Sequence, residues 1–218
     1  DAIIAISSAV SDWIIDLNKQ LNPKIIPYWI DQSNFNPPNS FNEDISIGFL
    51  GRLNKNKGIE ELLTAFNHLD TKNLTLKIGG HAEPSYLEYL QSISSEGSNE
   101  KISYLGYVSN RKTFFDSVDL FVFPSFSEGL GLVLLEAMSF SKICITRDIL
   151  PMNNYLSNDS GYLFSDNEEL LSTLKLAIED LRYDIKKIKS KLFNIEEVVK
   201  KSSANMLFPL IEQVYHNE

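Results

Sequence analysis

Short β-branched and aromatic runs alternate along the chain with longer stretches in which apolar residues recur every three or four positions. The runs are Ala2–Ile6, Lys24–Ile26, Ser46–Leu50, Leu74–Ile78, Lys101–Leu105, Asp119–Phe123, Lys142–Thr146 and Gly161–Phe164. Between them the period predicts helices over Ser8–Gln20, Gly58–Leu69, Pro84–Ile93, Asn110–Ser117 and Gly131–Phe140. Most of the runs are apolar on both faces, the pattern of parallel strands covered by helices above and below. Strand, helix, strand repeated in this way predicts an α/β, doubly wound parallel sheet of six strands.

The stretch Asp31–Asp44, DQSNFNPPNSFNED, breaks the rhythm. Its Asn, Ser and paired prolines favour an extended segment over a packed element, although an ordinary surface loop has the same composition. A βα unit and a short strand precede it and a complete sheet follows it. Residues 1–30 are therefore read as the terminal unit of another domain, 31–45 as a linker, 46–200 as the main α/β domain, and 201–218 as a C-terminal helix kinked at Pro209. On this reading the chain is a fragment, or one subunit of a split protein. After Phe164 only helices are predicted. Leu170, Leu174, Ala177 and Leu181 make one core-facing stripe. The segment IKKIKSKL from Ile185 offers either a solvated helix face or a basic patch for an anionic membrane.

Composition narrows the function classes. The 20 Lys and Arg against 29 Asp and Glu give a net charge of −9, which disfavours a general nucleic-acid binder because phosphate neutralisation needs a basic face. One cysteine, Cys144, leaves no intrachain disulfide and no Cys-rich zinc site. His68, His81 and His216 have no metal-ligand spacing. No apolar run approaches the ~20 residues that span a bilayer.

Two segments carry candidate chemistry. PSFSEGLGLVLLEAM, Pro124 to Met138, leads from an apolar run into a helix. Gly129 and Gly131 flank Leu130 and permit a tight turn with close backbone approach to a ligand. The following helix presents free N–H groups at Leu132 and Val133, which suit an anion. Glu136 shares a face with Leu132, where a carboxylate accepts hydrogen bonds from sugar hydroxyls. Spacing alone equally allows Glu128 and Glu136 to be a pair of surface glutamates. The second segment, SIGFLGRLNKNKGIEELLTAF, places Arg52 and Lys57 in the first strand-to-helix loop of the main sheet. There they are able to balance a diphosphate, one as a planar fork and one as a point charge.

Together these residues resemble the C-terminal, donor-binding domain of group 1 (family 4) glycosyltransferases of the GT-B fold. The matching pieces are GRLNKNKG at Gly51–Gly58, YLGYVSNRKTFFDSVDLFVFPS at Tyr104–Ser125, and the Glu-x7-Glu element SEGLGLVLLEAM. DAIIAISSAVSDWI and PYWIDQSNFNPP resemble the end of the N-terminal domain and the interdomain linker. The resemblance implies the C-terminal half of a GT-B fold, with a Rossmann-like sheet and a remnant of the acceptor domain. It implies a retaining transferase moving sugar from a UDP- or GDP-linked donor to a saccharide or lipid acceptor held by the N-terminal domain. Arg52 and Lys57 would hold the diphosphate, Glu128 a donor-sugar hydroxyl and Glu136 the ribose. Leu130, Gly131, Leu132 and Val133 would cradle sugar and phosphate, and Val108 with Asn110 would meet the base. Glu128, Arg52 and Lys57 are the expected catalytic residues. No Asp-x-Asp motif is visible, so no metal and no cofactor is expected. A cytoplasmic location follows, compatible with the inner face of a membrane.

Ser141 and Ile143 stand where the family usually has Gly and Pro after EAM, and DILPMNN at Asp148–Asn154 replaces its usual Gly-Gly-x-x-Glu stretch. A loop of different shape is expected there, with consequences for sugar preference more than for nucleotide binding. The competing class is a non-catalytic nucleotide-sugar-binding module. A dehydrogenase is disfavoured, because no G-x-G-x-x-G follows the first strand of the main sheet.

Overall fold

The computed structural model describes residues 3–26, 29–95, 99–203, 207–209, 211–212 and 214. Its centre is a six-stranded, all-parallel sheet. The first thirty residues supply β1 (Ile4–Ala5), α1 (Ser8–Leu17) and β2 (Lys24–Ile25), and the two strands pair in parallel apart from the main sheet. The main sheet comprises β3 (Ile45–Leu50), β4 (Leu74–Gly79), β5 (Ile102–Gly106), β6 (Leu120–Phe123), β7 (Ile143–Arg147) and β8 (Tyr162–Phe164). Helices α2 (Ile59–Asn67), α3 (Pro84–Ser95), α4 (Arg111–Asp116), α5 (Leu132–Ser139), α6 (Asn167–Tyr183) and α7 (Ile185–Lys201) complete the domain.

Strand order is β5-β4-β3-β6-β7-β8. The chain builds outward from β3 in one direction, then crosses back to start β6 on its other side. That reversal lies between β3 and β6, and it opens a crevice at the carboxyl ends of these two strands. β6 and β7 are buried at every residue, as strands covered on both faces must be. Edge strand β5 is largely exposed. Phe49, Phe115 and Phe121 are fully buried at the centre, with Phe115 stacked on Phe140 at 5.0 Å between centroids.

Several boundaries move for local reasons. The first strand is Ile4–Ala5, with Ala2 outside the described residues, and α1 stops at Leu17 rather than Gln20 because Asn18 is already extended. α5 begins at Leu132, since Gly131 is left-handed with φ 72°. α3 continues past Ile93 to Ser95. The segment after Ile30 has one 3₁₀ turn, Gln32–Asn34, with the Asp31 carboxylate accepting from the Ser33 N–H, and Phe35 and Phe41 pack onto the core. Ser203 does not open the last helix but pairs with Ile30 in a parallel bridge. Residues 207–209 are helical, and the kink expected around Pro209 falls largely outside the described residues.

The basic run of α7 is partly structural. Lys191 is only 5% exposed; its Nζ donates to Gly161 O at 2.7 Å and to Asn158 O, and lies 4.3 Å from the Tyr162 ring centroid. Lys187 pairs with Asp180 at 2.6 Å, and the same carboxylate accepts from the Tyr162 hydroxyl. Buried Lys191 and the more exposed Lys187 tie α6 and α7 to the β8 edge. Lys191→Met is expected to destabilise the fold by about 2–3 kcal/mol, because two carbonyls lose a charged donor. Urea unfolding checks it, with Lys189→Met as the comparison that should change little. Among the described residues no helix is long and apolar enough to cross a membrane.

Candidate functional site

The carboxyl ends of β3 and β6 each open into one of the two segments singled out from the sequence. After β3, the Gly51 N–H donates to Gly79 O at 3.0 Å and the Leu53 N–H to His81 O at 2.9 Å, so the loop runs on beside the end of β4. A 3₁₀ turn, Lys55–Lys57, then delivers Gly58 in the left-handed region at φ 68°. An added Cβ at Gly58 would lie 2.3 Å from Pro124 O. Only glycine permits that approach at that φ. The Phe126 N–H in turn donates to Asn56 O at 2.9 Å. The two loops are therefore laced together at the backbone.

That lacing brings Lys57 and Glu128 into a largely buried ion pair, the carboxylate accepting from the Lys57 ammonium. Both residues line a cavity of about 960 Å³, with Arg52, Val108, Leu130, Gly131, Leu132 and Val133 on the same walls. Gly131 turns the chain so that α5 starts with no side-chain cap. Leu132 and Val133, the first residues of α5, line this space, and their N–H groups have no carbonyl a turn behind them.

Two expected residues stand slightly apart. Glu136 follows one turn after Leu132 and is not on the cavity wall itself. Its nearest charged neighbour is Arg111, with Nε 3.8 Å from Oε2, and Arg111 does line the cavity. Burial raises the Glu136 carboxyl above its ordinary range, and the Arg111 charge opposes that rise. Asn110 is the N-cap of α4, its Oδ1 accepting from the Thr113 N–H at 3.0 Å. Its side-chain oxygen is thus engaged by the helix, while Val108 lines the cavity.

The sequence reading missed His81, Tyr107 and Arg111, which also line the cavity. The signal was available: all three lie just past the carboxyl ends of β4 and β5, the edge where ligands bind in such sheets. Behind the site, Arg147 is 6% exposed, its guanidinium 4.2 Å from the Phe126 ring centroid and 4.8 Å from that of Phe164. It donates to Asn167 Oδ1 at 2.8 Å and so pins the Glu128 loop to the β8–α6 corner. In place of the Gly-Gly-x-x-Glu stretch, a 3₁₀ turn at Met152–Asn154 buries Met152, whose Sδ would lie 3.1 Å from a Cβ at Gly131. The N-terminal unit reaches the same place. The Ser7 hydroxyl donates to Gly129 O at 2.8 Å, and Asn154 Nδ2 to Ser8 Oγ at 3.3 Å. Among the described residues no three His, Cys, Asp or Glu side chains gather as ligands for a metal ion.

A family model described as glycosyl transferases group 1 matches residues 31–191, well over half of the chain. The chain belongs to this family. A capsular polysaccharide biosynthesis glycosyltransferase, CapM of Staphylococcus aureus, is 27% identical over 188 residues, covering 74% of this chain and 47% of CapM. A glycosyltransferase structure from Rickettsia africae superposes with a TM-score of 0.87 at 16% identity, over all of this chain and 63% of that one. The structure of HepE from Anabaena in complex with UDP and glucose gives 0.85 at 17% identity, again over all of this chain and 63% of that one. These likenesses show the Rossmann-like half of a GT-B fold. This chain spans about half the length of CapM. In this group 1 chain, the family's Glu-x7-Glu element and its basic loop occupy the two sides of the crevice between β3 and β6.

Proposed function

We propose that the chain is the donor-binding half of a retaining, metal-independent glycosyltransferase, taking sugar from a nucleoside diphosphate sugar for a saccharide or lipid acceptor. The observation that carries it is the convergence of Arg52, Lys57, Glu128 and the uncapped start of α5 on one cavity at the β3–β6 reversal. In this reading the acceptor oxygen bonds to the anomeric carbon as the bond from that carbon to the phosphate oxygen breaks. The electron pair departs with the nucleoside diphosphate, and the acceptor hydroxyl gives up its proton to the departing phosphate oxygen. Negative charge grows on phosphate oxygens, and Arg52, Lys57 and the Leu132 and Val133 N–H groups are fixed donors aimed at it. These cations take the part a divalent ion plays elsewhere. Glu128 accepts from a donor-sugar hydroxyl, Glu136 from the ribose, and the Val108 backbone meets the base.

Calorimetry with UDP, GDP and ADP, with and without EDTA, tests the reading. At least one should bind, equally well after chelation; loss of all binding on chelation rejects the metal-free form. Glu136→Ala should weaken the nucleoside diphosphate and the intact nucleotide sugar alike, by roughly tenfold for one charged hydrogen bond. Glu128→Ala should weaken the nucleotide sugar while leaving the nucleoside diphosphate nearly intact. Equal losses of both ligands in both variants would show the roles to be misassigned.

A further inference from the structure

Arg111 is a cation lining this cavity, outside the residues singled out from the sequence. It occupies the first position of α4, where the helix presents its positive end and disfavours a cation. Its own helix is capped by Asn110, so Arg111 is not needed there. Across the cavity edge, Oε2 of Glu136 is buried without a hydrogen-bond partner, and Arg111 Nε stands 3.8 Å from it. A buried carboxylate oxygen without a donor is costly, and an adjacent guanidinium relieves part of that cost while leaving the lone pairs free for a ligand.

We propose that Arg111 is a positioning residue that holds the Glu136 carboxylate at the cavity edge, ready to accept ribose hydroxyls. The inference rests on the donor-binding reading above, in which Glu136 meets the ribose. Burial raises the Glu136 carboxyl, and among the described residues Arg111 is the charge that opposes the rise. The sign of the pH effect follows. Ribose hydroxyls are donors, so the ionised carboxylate binds better and affinity falls as pH drops through the Glu136 titration. Without Arg111 the titration moves up, and the fall begins at higher pH.

The test measures binding of UDP-, GDP- and ADP-glucose by calorimetry from pH 5 to 8. These diphosphates are esterified at both ends and carry no titrating proton of their own in this range. Arg111→Gln should weaken binding of the ligand by about two- to fivefold at pH 7, as for a half-exposed pair, and move the acid limb to higher pH. Arg111→Lys should restore much of both, and Glu136→Gln should abolish the limb. The Arg111 side chain is 43% exposed, and a thermal melt of Arg111→Gln checks that the fold is kept. An unmoved limb with equal loss at every pH would mean direct ligand contact and overturn the proposal. So would a wild-type profile in Arg111→Gln, or a limb that survives Glu136→Gln. Failure of all three ligands to bind the wild-type protein would instead refute the donor-binding reading beneath it.

Discussion

Lys57→Ala is expected to lower affinity for a nucleoside diphosphate by roughly 10- to 100-fold, the size of one charge-assisted hydrogen bond of ~1.5–3 kcal/mol. Arg52→Ala should cost a similar factor. The larger interest lies in Glu128. Lys57 and Glu128 neutralise each other as an ion pair, and the Glu128 side chain is 13% exposed. Removing the lysine alone leaves a poorly solvated carboxylate facing the space where phosphates would sit. Repulsion then adds to the lost contact. The double variant Lys57→Ala/Glu128→Ala should therefore bind a nucleoside diphosphate better than Lys57→Ala does. The cycle measures how strongly phosphate and sugar recognition are coupled through this pair. Binding by Lys57→Ala within twofold of wild type would sink the idea, as would a double variant no better than the single one. Measuring at low and high salt separates charge repulsion, which salt weakens, from lost packing of the lysine stem.

The fold was legible because its signals are local and repeated. The apolar runs of β6 and β7 announce strands buried on both faces. The two site segments were legible because glycine and charge coincide at strand ends. What could not be read was partnership between segments distant in sequence. Nothing local says that Lys57 meets Glu128, or that Arg111 meets Glu136. Those pairings depend on strand order, which brings β3 beside β6. Asn110 shows a further duty that was not read: its Oδ1 caps α4, as Asn commonly does at a helix start. In the basic run of α7, Lys186, Lys187 and Lys189 are exposed as a solvated face would be, whereas Lys191 is buried, and a buried lysine that satisfies loop carbonyls leaves no periodic trace.

Gly58→Ala is expected to be strongly damaging, because two costs fall on one atom. At φ 68° a side chain meets left-handed strain, and the new Cβ would lie 2.3 Å from Pro124 O, a backbone atom that cannot rotate away. Relief requires the Lys57 loop and the Glu128 loop to part, which breaks the Phe126 N–H to Asn56 O bond that joins them. Strain and overlap together should cost about 2–4 kcal/mol. That corresponds to a fall of roughly 5–15 °C in Tm for a chain of this size. Two other glycines separate the terms. Gly106 has φ 63° but nothing within 4 Å of an added Cβ, so its alanine variant should show strain alone, about 1 kcal/mol. Gly129 also has open space around it, with φ outside the left-handed region, and its alanine variant should melt as wild type does. Nucleoside diphosphate binding should fail first in Gly58→Ala, since the residue before it is Lys57. A Gly58→Ala protein as stable as Gly106→Ala would mean that the two loops are not held together as tightly as this contact requires. The ion pair at the centre of the site would then have to be maintained by the side chains alone.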